Sequence, residues 1–252
     1  MTASIDLDHT SFAVDDALAW ARRLRRDCGA TPVAGEALAE FRYLLLYLGT
    51  AERGARMELL EPVGDGFLTR FLDKQGAGPH HITFTVPDLR DAVAGARDLG
   101  ATVVGEDYRH DSWQEAFLVP DAAHGVVVQL AQTDFDYPSA AELLASSARD
   151  TDVFPSSYGA SEPRWWAALW DTDPVGSARL GATRLASTDL DRTRAIFGGL
   201  LGARVSEAAG CLTLTWPSGS IQVHRADRPG VVGMDLVGGP RGGVRIGDAL
   251  LG

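Results

Sequence analysis

Only two cysteines, Cys28 and Cys211, occur in 252 residues, and they stand far apart. That excludes a disulfide framework and a thiolate-based metal knot, both of which need clustered pairs. Cations are scarce too: 23 Lys and Arg against 34 Asp and Glu leave a formal charge of −11. Non-specific nucleic-acid binding needs clustered basic residues to neutralise phosphates, so no nucleic-acid partner is expected. The one basic stretch, ARRLRR at Ala21 to Arg26, reads as the solvated face of a helix. No apolar run approaches the length that spans a bilayer, and the N-terminus shows no basic-plus-apolar leader pattern. The expectation is a soluble chain in a reducing cytoplasm with no membrane partner.

What the sequence does contain is repetition. The stretch HHITFTVPD (His80 to Asp88) matches DHTSFAVDD (Asp8 to Asp16) in register. His81 falls on His9, Thr83 on Ser11, Phe84 on Phe12, Val86 on Val14 and Asp88 on Asp16. After each comes a helical pattern closed by glycine, then two or three β-patterned runs. From Leu180 the plan returns a third time, with Ala182 where the others have His9 and His81. The order β, α, then further β-strands predicts an α+β fold of repeated βαβββ modules, each unable to cover its own sheet alone. The expected division is residues 1–132 as two paired modules, 133–177 as a Trp-rich linker, and 178–252 as a degenerate third module. In that linker Trp165, Trp166 and Trp170 suit a lid, a dimer contact or, favoured here, packing on the core.

Alternate residues of a strand share a face, so His9, Ser11 and Ala13 point one way, as do His81, Thr83 and Thr85. Imidazoles among small polar groups fill a core poorly and suit the wall of a cavity. The last strand of each unit carries one polar residue in an apolar run, Glu58 in MELL and Gln129 in VVVQLAQ. A lone buried carboxylate costs several kcal/mol unless a cation or donors compensate it. Two imidazoles, a carboxylate and an amide oxygen suit a divalent ion such as Zn, Co, Ni, Mn or Fe(II), with positions left open for substrate.

The runs DHTSFAV, MELLEP, HHITFTV and FLVPDAAHGVVVQLAQ resemble the vicinal oxygen chelate superfamily, in particular its glyoxalase-like and methylmalonyl-CoA epimerase-like members. The resemblance covers about Ile5 to Gln132. It implies paired βαβββ modules curling into a cup-shaped mixed sheet, with one metal ligand from the first and one from the last strand of each module. The positions that match are His9, Glu58, His81 and Gln129. One departure matters: epimerase-like members usually carry Glu in the final strand, where it can also act as base. Gln129 can lend an oxygen to a metal but cannot accept a proton at useful pH. The base is therefore expected elsewhere, at Glu115 or Glu40, while His80 reads as a supporting group for His81. His110 and Asp111 lead into the strand that carries Glu115; His124 reads as a turn residue, and His224 is assigned no role.

Three functions follow from this reading. The first is a metal-dependent lyase or isomerase acting on a small molecule with vicinal oxygens, by proton abstraction and enediolate stabilisation. The second is an Fe(II) dioxygenase of the extradiol kind; the third is a binding or resistance protein that holds a small molecule without turning it over. An odd number of modules also predicts a homodimer joining exposed sheet edges.

Overall fold

In the computed structural model, residues 4–135, 138–145 and 165–252 are described. Much of the segment 133–177, expected to be a linker, lies outside them. The fold is mixed α+β, as the repeats predict, with two mixed sheets of eight and seven strands.

The first module contributes β1 (Asp6–Ala13), α1 (Ala17–Cys28), β2 (Thr31–Ala37), β3 (Phe41–Gly49) and β4 (Gly54–Pro62). A helix, α2 (Phe67–Gln75), precedes the second module. That module is β5 (Gly78–Thr85), α3 (Leu89–Asp98), β6 (Val103–Asp107), β7 (Gln114–Leu118) and β8 (Val127–Gln132). These strands form one sheet in the order β2-β3-β4-β1-β5-β8-β7-β6. After α4 (Ala140–Ala145) and a 3-10 turn at Ala167–Asp171, the third module supplies β9 (Arg179–Ser187), α5 (Leu190–Arg194), a π-helical turn (Ala195–Leu200), β10 (Arg204–Ala208), β11 (Cys211–Thr215) and β12 (Ser220–Arg225). The tail adds β13 (Gly230–Val237), β14 (Val244–Ile246) and β15 (Ala249–Leu251). The second sheet runs β10-β11-β12-β9-β13-β15-β14, so the third module's sheet is extended by strands of its own chain.

The recurring acidic turn has a local cause. Asp16, Asp88 and Asp189 are the N-caps of α1, α3 and α5, their carboxylates accepting from backbone N–H groups of the first turn. Gly29 closes α1 at φ 73°, a left-handed conformation that glycine adopts at little cost.

The chain divides into two compact units, and the division passes through β1 between Thr10 and Ser11. One unit comprises Met1–Thr10, His80–Asp136 and Ala182–Met234. Its core is built by strand alternation: Ile82 and Phe84 of β5 point away from His81 and Thr83 and pack with α3 and with Phe197, Trp216 and Val223 of the third module. The Phe84 ring lies 4.9 Å from Trp216 and 5.9 Å from Phe197. Here β5 and β8 are parallel, with Thr83 opposite Gln129.

The other unit comprises Ser11–Pro79, Tyr137–Gly181 and Asp235–Gly252. Its antiparallel meander β2-β3-β4 carries a β-bulge between Pro32 and Ala34. One cluster gathers Val33, Ala34, Leu45, Tyr47 and Leu143; another gathers Ala13, Leu60 and Leu68. Of the alternatives for the tryptophans, packing is what the structure has. Trp166 is buried and donates from Nε1 to the Gly35 carbonyl at 2.9 Å, Arg25 stacks over Trp170, and Arg42 over Trp165.

Candidate metal centre

His9 lies on β1 and His81 on β5, the latter leaving the strand face opposite to Ile82 and Phe84 of the apolar core. Their rings approach edge-on with centroids 6.1 Å apart, and both are buried. Each Nδ1 is engaged by the preceding residue: His9 Nδ1 lies 2.6 Å from Asp8 Oδ1, and His81 Nδ1 lies 2.8 Å from His80 Nδ1. A neutral His9 that gives its Nδ1 proton to Asp8 keeps its lone pair on Nε2.

The two Nε2 atoms are linked through side chains of β5 and β8. The Thr83 hydroxyl lies 3.0 Å from His9 Nε2 and donates to Gln129 Oε1 at 2.6 Å. Gln129 Oε1 is in turn 3.1 Å from His81 Nε2. The amide nitrogen of Gln129 donates to Glu115 Oε2 at 2.7 Å, and the Trp113 indole donates to the same oxygen at 3.0 Å. These bonds orient the Gln129 amide, with its oxygen turned to the imidazoles and its nitrogen to Glu115 on β7. On the neighbouring strand Ser11 donates to Glu58 Oε2 at 2.7 Å, the counterpart of the Thr83–Gln129 bond.

His9, Glu58 and His81 are all buried, and each offers a ligand atom within 4.8 Å of the others. Metal–nitrogen and metal–oxygen bonds of about 2.0–2.2 Å set neighbouring donors roughly 3 Å apart and opposite donors about 4.2 Å apart. The spacing of the trio and the 3.1 Å between His81 and Gln129 are close to that scale. Borderline imidazole and hard oxygen donors suit a first-row divalent ion. The donor set therefore fits the group that the sequence implies.

The other expected residues are placed as follows. Glu115 is half-buried and bonded to Gln129, whereas Glu40 is exposed in the turn before β3, its carboxylate near Gly66. The structure brings Glu115 to the Gln129 amide and does not bring Glu40 there. Asp111 is exposed before β7, and His224 is exposed on β12. His124 is more than a turn residue: it is fully buried, its ring against Phe197, and burial lowers its pKa to about 4 while the Asp121 carboxylate opposes that shift. Asp8 and Trp113, which bond to His9 and Glu115, carry no role in the sequence reading. For Asp8 a signal existed, a carboxylate immediately before a strand histidine.

Residues 8–117 match the family described as the glyoxalase/bleomycin resistance protein/dioxygenase superfamily. An ethylmalonyl-CoA/methylmalonyl-CoA epimerase of Cereibacter sphaeroides is 30% identical over 132 residues, covering 50% of this chain and 96% of that protein. The chain belongs to this superfamily. Among solved structures, a methylmalonyl-CoA epimerase of Streptomyces coelicolor is 27% identical and covers 54% of this chain and 99% of its own, with a TM-score of 0.47. A hypothetical protein from Staphylococcus aureus, 10% identical, covers 92% of this chain and 90% of its own with a TM-score of 0.58. That likeness is one of fold alone and spans nearly the whole chain. No helix among the described residues is long and apolar enough to cross a membrane.

Proposed function

We propose that this chain is a metal-dependent epimerase that moves the proton α to the carbonyl of a small acyl thioester, with coenzyme A esters of branched dicarboxylic acids as the substrate class. The observation that carries the reading is the buried group His9, Glu58 and His81 together with the Gln129 oxygen 3.1 Å from His81. The superfamily relative that acts on ethylmalonyl-CoA and methylmalonyl-CoA supports the substrate class.

His9, Glu58, His81 and Gln129 would hold the ion, leaving positions for two substrate oxygens. A divalent ion there supplies Lewis-acid polarisation of the carbonyl, which acidifies the neighbouring C–H. The protein's own contribution is positional. Asp8 and His80 orient the two imidazoles, Thr83 and Glu115 orient the Gln129 amide, and burial excludes bulk water from the reacting carbon. Glu115, within hydrogen-bond reach of Gln129, is the carboxylate that takes the proton which Gln129 cannot.

The test is deuterium incorporation at the α-carbon of methylmalonyl-CoA in D2O, followed by mass spectrometry with Co- or Mn-loaded protein. Metal-dependent exchange is expected; its absence with every ion rejects the reading. A second reading has one specific observation in its favour: two histidines and one carboxylate also compose the ligand set of Fe(II) oxygenases. Oxygen uptake by the Fe(II)-loaded protein with catechols, without α-proton exchange, would select it.

A further inference from the structure

The connection between β7 and β8, residues 119–126, borders a cavity that the proposed epimerase chemistry does not use. Its volume is about 100 Å³, and its walls include the apolar Leu118, Val119, Pro120 and Ile196 with the polar side chains of Asp121 and His124. Thr102 and Val119 on its lining are exposed, so the cavity opens to solvent. All of these residues belong to one compact unit.

The third module holds this connection in place. Thr188 donates from its backbone N–H to the Ala123 carbonyl at 2.9 Å and from its hydroxyl to the Ala122 carbonyl at 3.0 Å. Asp121 is fully engaged, accepting from the Ala123 N–H at 2.8 Å and from Arg192 Nε at 2.9 Å. His124 is the exception. It is 1% exposed, its ring meets Phe197 edge-on at 5.2 Å, and its Nδ1 is buried with no hydrogen-bond partner among the described residues. Buried polar groups almost always find a partner, and a phenylalanine would fill this position without leaving one unpaired.

The walls restrict what can enter. Arg192 offsets the Asp121 charge, and burial lowers the His124 pKa to about 4, so the ring is neutral at pH 7. Neither an anion nor a cation therefore meets an unpaired counter-charge. A neutral imidazole has one donor and one acceptor nitrogen, and a hydroxyl complements either. An apolar cavity of about 150 Å³ holds benzene, so the smaller volume here, open on one side, suits a single ring.

We propose that this cavity binds a small uncharged hydroxy compound of the phenol class, its hydroxyl hydrogen-bonded to the His124 imidazole and its ring against Leu118 and Ile196. The site shares no residue with the metal centre, so it stands or falls independently of the epimerase reading.

The test titrates phenol into the whole chain labelled with 15N and follows the His124 ring nitrogens by NMR, assigned by their disappearance in His124→Phe. A saturable shift in the millimolar range is expected, the scale of a fragment-sized ligand. Benzene and benzoate, which lack the hydroxyl or add a charge, should each bind about 10-fold more weakly, the fold-change of one lost hydrogen bond. His124→Phe should weaken phenol binding by a similar factor, read from the backbone amides of Ala101 and Leu118. Val119→Trp, a change at an exposed position that leaves folding unaffected, should block entry. Benzene binding as tightly as phenol would make the cavity a plain apolar void and overturn the proposal. Tighter binding of benzoate would make it an anion site and overturn it too. So would phenol binding unchanged in either variant, or no saturable shift at concentrations on the order of 10 mM.

Discussion

His9 and Asp8, neighbours in the chain, are held 2.6 Å apart, imidazole Nδ1 to carboxylate Oδ1, and both are buried. The carboxylate fixes the ring's orientation and which nitrogen is free to bind a cation.

Asp8→Asn should therefore weaken divalent-ion affinity by roughly 10- to 100-fold, the usual effect of losing such a supporting group. Competition with a chromogenic chelator measures it. An unchanged affinity would mean that the pair serves only the fold.

Glu115→Gln should keep the bound ion and lower α-proton exchange by about 10²- to 10⁴-fold, the scale of a lost general base. Steady-state exchange kinetics and metal content, measured on the same sample, separate this from loss of metal. Loss of metal instead would make Glu115 a support for Gln129 rather than a proton acceptor.

How legible these features are in sequence depends on their range. The acidic turns are local devices, each an N-cap two residues after its strand's last β-patterned position, and so repeat visibly as Asp16, Asp88 and Asp189. His9 and His81 stand out because two modules repeat them, and Glu58 and Gln129 because each interrupts an apolar strand. Which module packs on which is not local: Phe84 meets Trp216 across 132 residues of chain, a pairing that periodicity leaves open. The bulge between Pro32 and Ala34 shifts the alternation of β2, which counting by twos from the strand's start does not show.

His124 sets a pH limit on stability. Its pKa falls from 6.5 to about 4 on folding, chiefly through burial, and its Nδ1 has no protein hydrogen-bond partner among the described residues. Between pH 6.5 and 4 the unfolded chain binds a proton here that the folded chain does not, so stability falls as pH drops through that window and levels off below it. The contribution is roughly 3 kcal/mol at most, at 1.36 kcal/mol per pKa unit. Denaturant melts at pH 7 and pH 4.5 should show a smaller loss for His124→Phe than for the wild type; equal losses would contradict this.

Gly35 is set by close approach: a Cβ there would lie 2.7 Å from the Trp166 indole and from the Tyr43 carbonyl oxygen. Gly35→Ala should destabilise the protein by about 1–3 kcal/mol, typical of overpacking. Trp166→Phe in the same background should recover part of the loss in thermal melts.

The most direct test of the central claim is a titration of metal-free protein with Co(II), read by d–d absorption and elemental analysis, for the wild type and for His9→Ala and His81→Ala. One ion per chain in the wild type, with both single variants losing it to a similar degree, is the predicted result. A wild type that binds no ion, or a variant that keeps a full equivalent, would contradict a shared centre.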